Sequence, residues 1–489
     1  MLVLTLFDSV PGLRGTANLK PLGPRYQLLM AGIIRQAFPG FKRTRRRAML
    51  YSASMSTSDK GLLHPGGRSY RFIVLAFASL MAFGSYFAYD SVGAIETTLI
   101  QVFHTNRAAI GTMYTMYSVA AVFAVLAGGF LIDRAGVRRA SLIFSSLVVG
   151  GAVLVAWAPN LPVLYVGRVL FGIGSESMIV AQSAITARWF TGKELALAFG
   201  ITLTIARLGT LFSFNTEQLL ASRFGWRGAL WIAAGLCLAS LVCNWIYTLM
   251  DKRAEPVLHL PEAGGGDKIT WSDVGKFRGS YWYAVGICVT FYSAIFPFTA
   301  LSTDFFHDKW GMPLASAEGM GFLSGVFYNF THIFSTAQGT TSIIIAASMV
   351  LAPFAGNLVD HIGRRATLMV VGSLLIIPAH LLLGLTYVRP VFSMIVLGAA
   401  FVLVPACIWP SVPLIVDARR VGTAFGLMTA IQNIGLATFP IANGALRDAT
   451  HGYTASQLMF ATLGFCGLIF SFLLLRSDRR EGGHLERAK

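Results

Sequence analysis

Two charged residues, Glu176 and Arg207, each interrupt an otherwise apolar stretch, and a short polar segment at 188–194 separates the two stretches. Glu176 lies 16 residues before Gly192, and Arg207 lies 15 residues after it. On antiparallel helices with a rise of about 1.5 Å per residue, both side chains would stand ~23 Å from the turn, at matching depth. A carboxylate and a guanidinium at matching depth predict a site at which oppositely charged groups bind.

That site has two interpretations. Inside a hydrocarbon layer, a charged residue costs ~2.5–3.5 kcal/mol on insertion scales, so it normally faces a cavity or a partner. Glu176 and Arg207 could therefore form a buried ion pair that holds two helices together. They could equally bind the two ends of a zwitterion, with the ammonium on Glu176 and the carboxylate on Arg207. Helix geometry leaves both interpretations open.

The composition indicates that most of the chain lies in a lipid bilayer. Of the 489 residues, 55% are hydrophobic and only 12% are charged, which is unlike a soluble protein. In lipid the backbone must satisfy its own hydrogen bonds, so spanning segments are expected to be helices. We therefore predict an all-α membrane protein with twelve transmembrane helices, at about 72–91, 107–131, 139–158, 162–188, 194–218, 226–249, 281–305, 338–358, 366–386, 390–416, 422–446 and 455–475.

The positive charge of the chain predicts its orientation. The net charge is +17, and residues 1–71 alone hold twelve Lys and Arg against two Asp. The remaining basic residues concentrate in the loops after even-numbered spans and in the tail at 476–489. This alternation predicts that both termini are cytoplasmic, and it is typical of membrane topology, not of nucleic-acid binding. The 1–71 segment is a disordered cytoplasmic tail or an over-extended start, with Met30, Met49 or Met55 as the initiator.

Two polar interruptions divide the spans. Residues 251–280 contain Pro256, Pro261 and three consecutive glycines, so they predict a cytoplasmic linker between a bundle at 72–250 and another at 281–475. Residues 306–337 are too long for a tight turn and partly apolar, and they predict an amphipathic segment on the outer face.

A repeated loop motif relates the two halves. The segment GFLIDRAGVRR follows span 2 and GNLVDHIGRR follows span 8. Both resemble the signature loop of the major facilitator superfamily, which implies two six-helix bundles related by a pseudo-two-fold axis. We expect the first glycines to let helix ends approach closely, the aspartates to accept hydrogen bonds from a neighbouring helix N-terminus, and the arginines to stay at the surface. The predicted gating residues are Gly129, Asp133, Arg134, Gly136, Gly356, Asp360, Gly363 and Arg364.

Four stretches carry a closer resemblance: FGSYFAYD at 83–90, spans 4 and 5 at 167–209, FPF at 296–298, and spans 10 and 11 around WP and GTAFGLMTAIQNIGLA. They resemble the subfamily of major facilitator superfamily domain-containing protein 1, a dipeptide uniporter of animal lysosomes. This resemblance implies uniport of dipeptides by alternating access. It also implies that Glu176 receives the peptide amino terminus and Arg207 the carboxylate, which favours the zwitterion interpretation.

Other polar or aromatic side chains within predicted spans are candidate substrate ligands: Tyr86, Tyr89, Tyr292, Trp409, Gln432 and Asn433. Each has an alternative role. The span 1 tyrosines are either cavity-lining or interfacial, and Tyr292 fits a helix core as well as a site. Trp409 precedes Pro410, so it marks a packing kink or a hinge with a lid. The two amides are contacts between helices or ligands for a peptide bond.

Asp90 and Arg168 both lie in the outer halves of their spans. They could pair as an outer gate or as a structural tie between spans 1 and 4, and we favour the tie.

The sequence lacks the motifs of several classes of enzyme. The sequence has no Walker loop, no GxSxG, and no His/Cys set with metal-ligand spacing, so we predict no catalytic residues, no cofactor and no metal. The expected partners are a dipeptide and the bilayer, the expected state is a monomer, and nothing in the sequence supports an accessory subunit.

A bacterial inner membrane is favoured over the lysosomal membrane because no acidic dileucine signal fits the N-terminal segment. The rival functions are carriage of an organic anion or sugar, and a receptor or scaffold without transport.

Overall fold

The computed structural model describes residues 64–190, 194–258, 271–315, 319–417 and 420–487. These residues are almost entirely helical, so the predicted all-α class is confirmed. The helices are α1 Arg68–Ala94, α2 Glu96–Val102, α3 Arg107–Ala135, α4 Val137–Trp157, α5 Leu161–Phe190, α6 Leu195–Leu258, α7 Gly279–Ala300, α8 Ser302–Trp310, α9 Phe322–Thr331, α10 Ala337–Ile362, α11 Arg365–Leu385, α12 Val391–Ile415, α13 Val421–Thr450 and α14 Thr454–Arg480.

Eleven helices in the described ranges are long and apolar enough to cross a membrane. One of them, α6, contains 64 residues and would be roughly 95 Å long if straight, about three times the thickness of a hydrocarbon layer. It breaks at Gly225, where φ is 73° and ψ is 162°, a conformation outside the helical region that glycine adopts readily. The two helices within α6 supply the fifth and sixth crossings, which completes the predicted twelve.

The crossings form two packed groups. In the first half α1 packs on α6, α4 on α5 and α6, and α3 on α5; in the second half α14 packs on α7 and α11, and α12 on α10 and α11. Between the halves, α3 packs on α13 and the first helix of α6 packs on α10. A Cβ added at Gly111 or Gly444 would clash with the backbone of the facing helix at the α3–α13 contact. Glycine at both positions therefore permits the halves to touch there.

We call the end of the molecule at which α3 begins the Arg107 end, and the end at which α3 stops the Arg134 end. Hydrogen bonds between the halves, as far as the described residues form them, lie at the Arg107 end or near mid-depth. Examples are the bonds from Arg107 to Asp304 and from Asn215 to Ser342. At the Arg134 end, each half instead makes contacts of its own, such as Arg188 with Asp251 in the first half.

The repeated motif ends its helix at a glycine of positive φ in both halves, but it does not form the contact we expect. Gly136 and Gly363 follow α3 and α10 with φ of 77° and 72°, and each donates its N–H to the carbonyl four residues earlier. A Cβ at Gly129 or Gly356 would meet nothing within 4 Å, so the predicted close approach is absent. The hydrogen bonds that join the halves among the described residues lie at the Arg107 end and near mid-depth instead. Arg134 and Arg364 are exposed, and the side chains of Asp133 and Asp360 lie outside the described part.

The structure describes only parts of the segments that precede, connect and follow the bundles. The predicted tail at 1–71 falls mostly outside the described residues, as does 259–270 of the linker. The segment at 306–337, which we predict to lie on the outer face, includes α9. On α9, Leu323 is 81% exposed, while Asn329 is fully buried and donates to the Asn215 carbonyl. In the C-terminal segment, Leu485 is fully buried, and its carbonyl accepts a bond of 2.8 Å from the Arg365 N–H at the start of α11.

Gly172→Ala is expected to destabilise the first half. The added Cβ would lie 2.6 Å from the Tyr117 carbonyl oxygen on α3, and backbone cannot move aside as a side chain can. Overpacking of this kind costs about 1–3 kcal/mol. The matched control is Gly129→Ala, where the new methyl group meets open space and alanine favours the helix. Thermal unfolding in detergent should show a lower Tm for the first variant only; equal Tm values would contradict the tight α3–α5 contact.

Candidate functional site

Glu176 lies in the middle of α5 and is partly exposed. Its Oε1 accepts a hydrogen bond of 2.7 Å from the Tyr117 hydroxyl of α3. Within the described ranges, no ion pair includes Glu176. The carboxylate is therefore oriented by a neutral donor of its own half and keeps acceptor capacity for a ligand.

Tyr117 was missed by the sequence reasoning. It is 5% exposed, its ring packs edge-to-face on Tyr89 at 4.8 Å, and Gly172 allows its backbone to lie against α5. No spacing in the sequence pairs Tyr117 with Glu176, because the two residues lie on different helices and 59 positions apart. Only the packing of α3 on α5 brings them together.

Arg207 lies on the first helix of α6 and is also partly exposed. Its Nη1 donates to Ser348 Oγ of α10, in the opposite half. Its guanidinium stands 4.4 Å from the centre of the Phe401 ring of α12, close enough for a cation–π interaction. Arg207 is thus held across the interface, whereas Glu176 is held within one half.

The structure does not form the ion pair between Glu176 and Arg207 that was one of the two interpretations. Ion pairs among the residues described include neither of them. Tyr86 of α1 lies within electrostatic range of both charges. The two opposite charges therefore stand apart, with a phenol near each.

The predicted aromatic ligands of the second half belong to one group, which we call the aromatic wall: Tyr292, Phe296, Phe401 and Trp409. Trp409 Nε1 donates to the Tyr292 hydroxyl at 3.0 Å, Tyr292 stacks on Phe296 at 5.9 Å, and Phe296 contacts Phe401 at 5.5 Å. Because Phe401 lies under Arg207, the aromatic wall continues directly to the guanidinium.

The two amides of α13 have different surroundings. Gln432 is partly exposed, and its Oε1 accepts from Cys288 Sγ, one turn before Tyr292 on α7. Asn433 is 2% exposed, and its Nδ2 donates to the Thr429 carbonyl of its own helix. The structure therefore brings Gln432 near the aromatic wall, while Asn433 is buried with its Oδ1 without a partner among the described groups.

Asp90 and Arg168 do not form the predicted ion pair among the described contacts, although they lie within electrostatic range of each other. Asp90 accepts a hydrogen bond of 2.6 Å from the Thr210 hydroxyl. Arg168 is 1% exposed, and its guanidinium lies 5.1–5.5 Å from the centres of four rings, with hydrogen bonds to two backbone carbonyls. These rings belong to Tyr89, Tyr114, Tyr117 and Phe171. The negative faces of these rings and the two carbonyls stabilise the guanidinium of Arg168, which was the role predicted for Asp90. We call the four rings the Arg168 cage, and Tyr89 is part of it.

The side chains of the site are suited to binding a ligand. They offer two opposite charges, surrounded by phenol, indole and amide groups. In the described part of the chain, no three His, Cys, Asp or Glu side chains are grouped so as to hold a metal ion. The site is therefore described by charge, aromatic surface and hydrogen bonds.

Comparison with known proteins identifies the class first. The family model described as Major Facilitator Superfamily matches residues 76–338 and 319–489. The fold is similar to that of a mutant of the nucleoside transporter NupG, with a TM-score of 0.62, 17% sequence identity, and coverage of 83% of this chain and 98% of that one. The chain belongs to the Major Facilitator Superfamily, and it is a membrane transporter, not an enzyme.

Curated relatives narrow the family. The lysosomal dipeptide transporter MFSD1 of Danio rerio is 35% identical over 434 residues, covering 86% of this chain and 90% of the relative. The lysosomal dipeptide transporter MFSD1 of Homo sapiens is 32% identical over 438 residues, covering 87% and 90%. The resemblance found in the sequence motifs is confirmed, and this chain is a member of the MFSD1 family.

Tyr117→Phe is expected to lower the thermal stability of the protein, because the change removes a hydrogen bond to a carboxylate. Hydrogen bonds to charged groups contribute about 1.5–3 kcal/mol. Tyr114→Phe is the matched control, since Tyr114 is also buried in the cage but its hydroxyl has no partner among the described groups. Unfolding in detergent should show a loss for Tyr117→Phe and none for Tyr114→Phe; equal losses would contradict the role of Tyr117.

Proposed function

We propose that this protein moves small zwitterionic peptides, dipeptides above all, across a membrane as a uniporter. One observation carries the proposal: Glu176 and Arg207 are opposite charges within the membrane, and each is held by neutral groups. Charges that remain apart at this depth favour a ligand with two charged ends. The names of the relatives, which are dipeptide transporters, support the same substrate class.

Each group near the site has a role in this proposal. Glu176 receives the peptide ammonium while Tyr117 holds the carboxylate in place. Arg207 receives the peptide carboxylate, which takes the place of Ser348 Oγ as its partner. Tyr86 lies near both ends of the ligand. The aromatic wall and Gln432 contact the middle of the peptide, where flat apolar surfaces and one amide tolerate varied side chains.

Transport would proceed by alternating access, in which the halves rock about the site. The structure described above joins its halves at the Arg107 end, and the loop charges predict that the Arg134 end is cytoplasmic with both termini. This conformation would then face the cytoplasm. In the opposite conformation, the open space at Gly129 and Gly356 would be filled by the other half, which gives the repeated motif its gating role.

The membrane and the assembly state are part of the proposal. The sequence favours a bacterial inner membrane, and the names of the relatives favour the lysosomal membrane. Fractionation of the source cells decides between these two membranes. We propose a monomer, because both charges of the site come from one chain.

Glu176→Gln and Arg207→Gln are expected to lose recognition of opposite ends of the peptide. In the native protein, acetylation of the amino end and amidation of the carboxyl end should each lower dipeptide affinity at least tenfold. Glu176→Gln should abolish the effect of acetylation and retain that of amidation, and Arg207→Gln should do the reverse. Binding of the three ligands to purified protein, read as thermal stabilisation, measures both effects.

The same variants separate the rival functions. A carrier of organic anions would need Arg207 alone, so Glu176→Gln would be neutral or would improve uptake. Asp308→Asn is the matched control, because Asp308 is a half-exposed carboxylate at the Arg107 end, and its ion pair with Arg447 lies within one half. A receptor without transport would bind dipeptides and show no flux in liposomes.

Peptide length is expected to limit transport. The separation of Glu176 and Arg207 is fixed by the helices that carry them, so a longer peptide cannot place both ends at once. In liposomes containing purified protein, dipeptide uptake should exceed tripeptide uptake, and tetrapeptide uptake should be at the level of empty liposomes. Equal uptake of all three would contradict a site that binds both ends.

A further inference from the structure

Glu96, at the start of α2 near the Arg107 end, is fully buried. Its Oε1 accepts a hydrogen bond from the Asp304 N–H at the start of α8, which belongs to the other half. Its Oε2 is buried and has no hydrogen-bond partner among the described residues. A carboxyl group therefore lies on the interface between the halves with one oxygen unsatisfied.

The neighbours of Glu96 supply too little positive charge for it. The Asp304 carboxylate accepts both hydrogen bonds of the Arg107 side chain, at 2.8 and 3.2 Å, and also one from the hydroxyl of Tyr453. The groups that face Glu96 electrostatically are Asp304 on α8, Arg107 and Tyr114 on α3, and Tyr453 before α14. They contain one cation for two carboxyl groups, and Asp304 already uses that cation.

A second negative charge in this buried cluster would have no matching partner. Burial, and after it the Asp304 carboxylate, raises the pKa of the Glu96 carboxyl well above its ordinary value. The Asp304 N–H and Arg107 act in the opposite direction and do not overcome these effects. When the halves separate at this end, water would reach Glu96, and its pKa would return towards that of an exposed glutamate.

We propose that Glu96 is a proton-binding site that links closure of the Arg107 end to pH: it takes up a proton when the halves meet there and releases it when they part. The closed conformation binds the proton more tightly, so it is favoured at low pH. As the pH rises through the range between the pKa of Glu96 in the open conformation and its pKa in the closed conformation, the closed conformation is progressively lost. The ratio of closed to open protein should fall up to about tenfold per pH unit, since one proton is involved.

This proposal rests on alternation between two conformations but not on the identity of the substrate. Glu96 is far along the chain from Glu176 and lies at one end of the molecule, so its proton is exchanged with one side of the membrane only. The site would therefore regulate the gate and would not couple proton flow to transport. Uniport and pH dependence are compatible for this reason.

The test is a distance measurement on the full chain in lipid nanodiscs. Spin labels at Gln101→Cys and Ala449→Cys, both exposed and in different halves, report the Arg107 end after the five native cysteines are replaced. Between pH 5 and pH 8 we expect the short-distance population of the native Glu96 protein to decrease. Glu96→Gln imitates the protonated form, so the short-distance population of this variant should stay high and should not depend on pH.

Asp308→Asn is the control, since its half-exposed carboxylate at the same end pairs with Arg447 within one half, and it should keep the native pH profile. If Glu96→Gln does not fold, Glu96→Asp should shift the midpoint of the profile instead of abolishing it. The proton site alone would be overturned if the native protein showed two distance populations whose ratio does not change with pH. It would also be overturned if the ratio in Glu96→Gln changed with pH as in the native protein. A single distance under every condition would overturn both this proposal and alternating access.

Discussion

Charge within a hydrocarbon layer has to be met by a partner or by water, and this requirement shapes the whole molecule. The chain meets it in different ways. Arg168 lies among aromatic rings and carbonyls, Arg207 donates to a serine hydroxyl and stands over a ring of the other half, and Glu176 accepts from a phenol hydroxyl. In the proposed site, the last two arrangements are the ones that a ligand would use.

Glu176 and Arg207, the two charges of the proposed site, differ in their contacts with the second half. Glu176 and Tyr117 move together because both belong to the first half. Arg207 contacts Ser348 and Phe401 of the second half, so its surroundings must change whenever the halves rotate against each other. In the proposed site, a ligand that takes the place of Ser348 as the partner of Arg207 would therefore remove a contact between the halves, while the distance between the two charges stays the same. This asymmetry gives a simple physical route from binding to conformational change, since a ligand shifts an equilibrium only by binding its two states differently.

Much of the fold could be predicted from the sequence, because apolar length and alternating loop charge are local properties. The predicted span at 338–358 corresponds to α10, and the boundary between 218 and 226 contains the break at Gly225. The site was less predictable. Thr210, Tyr117 and Ser348 come from helices distant in sequence, and no periodicity shows which helix faces which. The error at Asp90 and Arg168 has the same origin: matching depth does not establish contact. The contact expected at Gly129 is likewise absent, because a sequence motif does not show which helices meet in a given conformation.

The buried C-terminal segment has a practical consequence for work with this protein. Leu485 and Glu486 hold the first turn of α11 through its backbone N–H groups, at Arg365 and Thr367. Leu485 and Glu486 are therefore part of the fold, and they cap a helix that begins more than a hundred residues earlier in the chain. Shortened versions that stop at Arg480 would leave those amide groups uncapped. A fluorescent fusion or affinity tag joined close after Glu486 would need a spacer to leave these hydrogen bonds undisturbed.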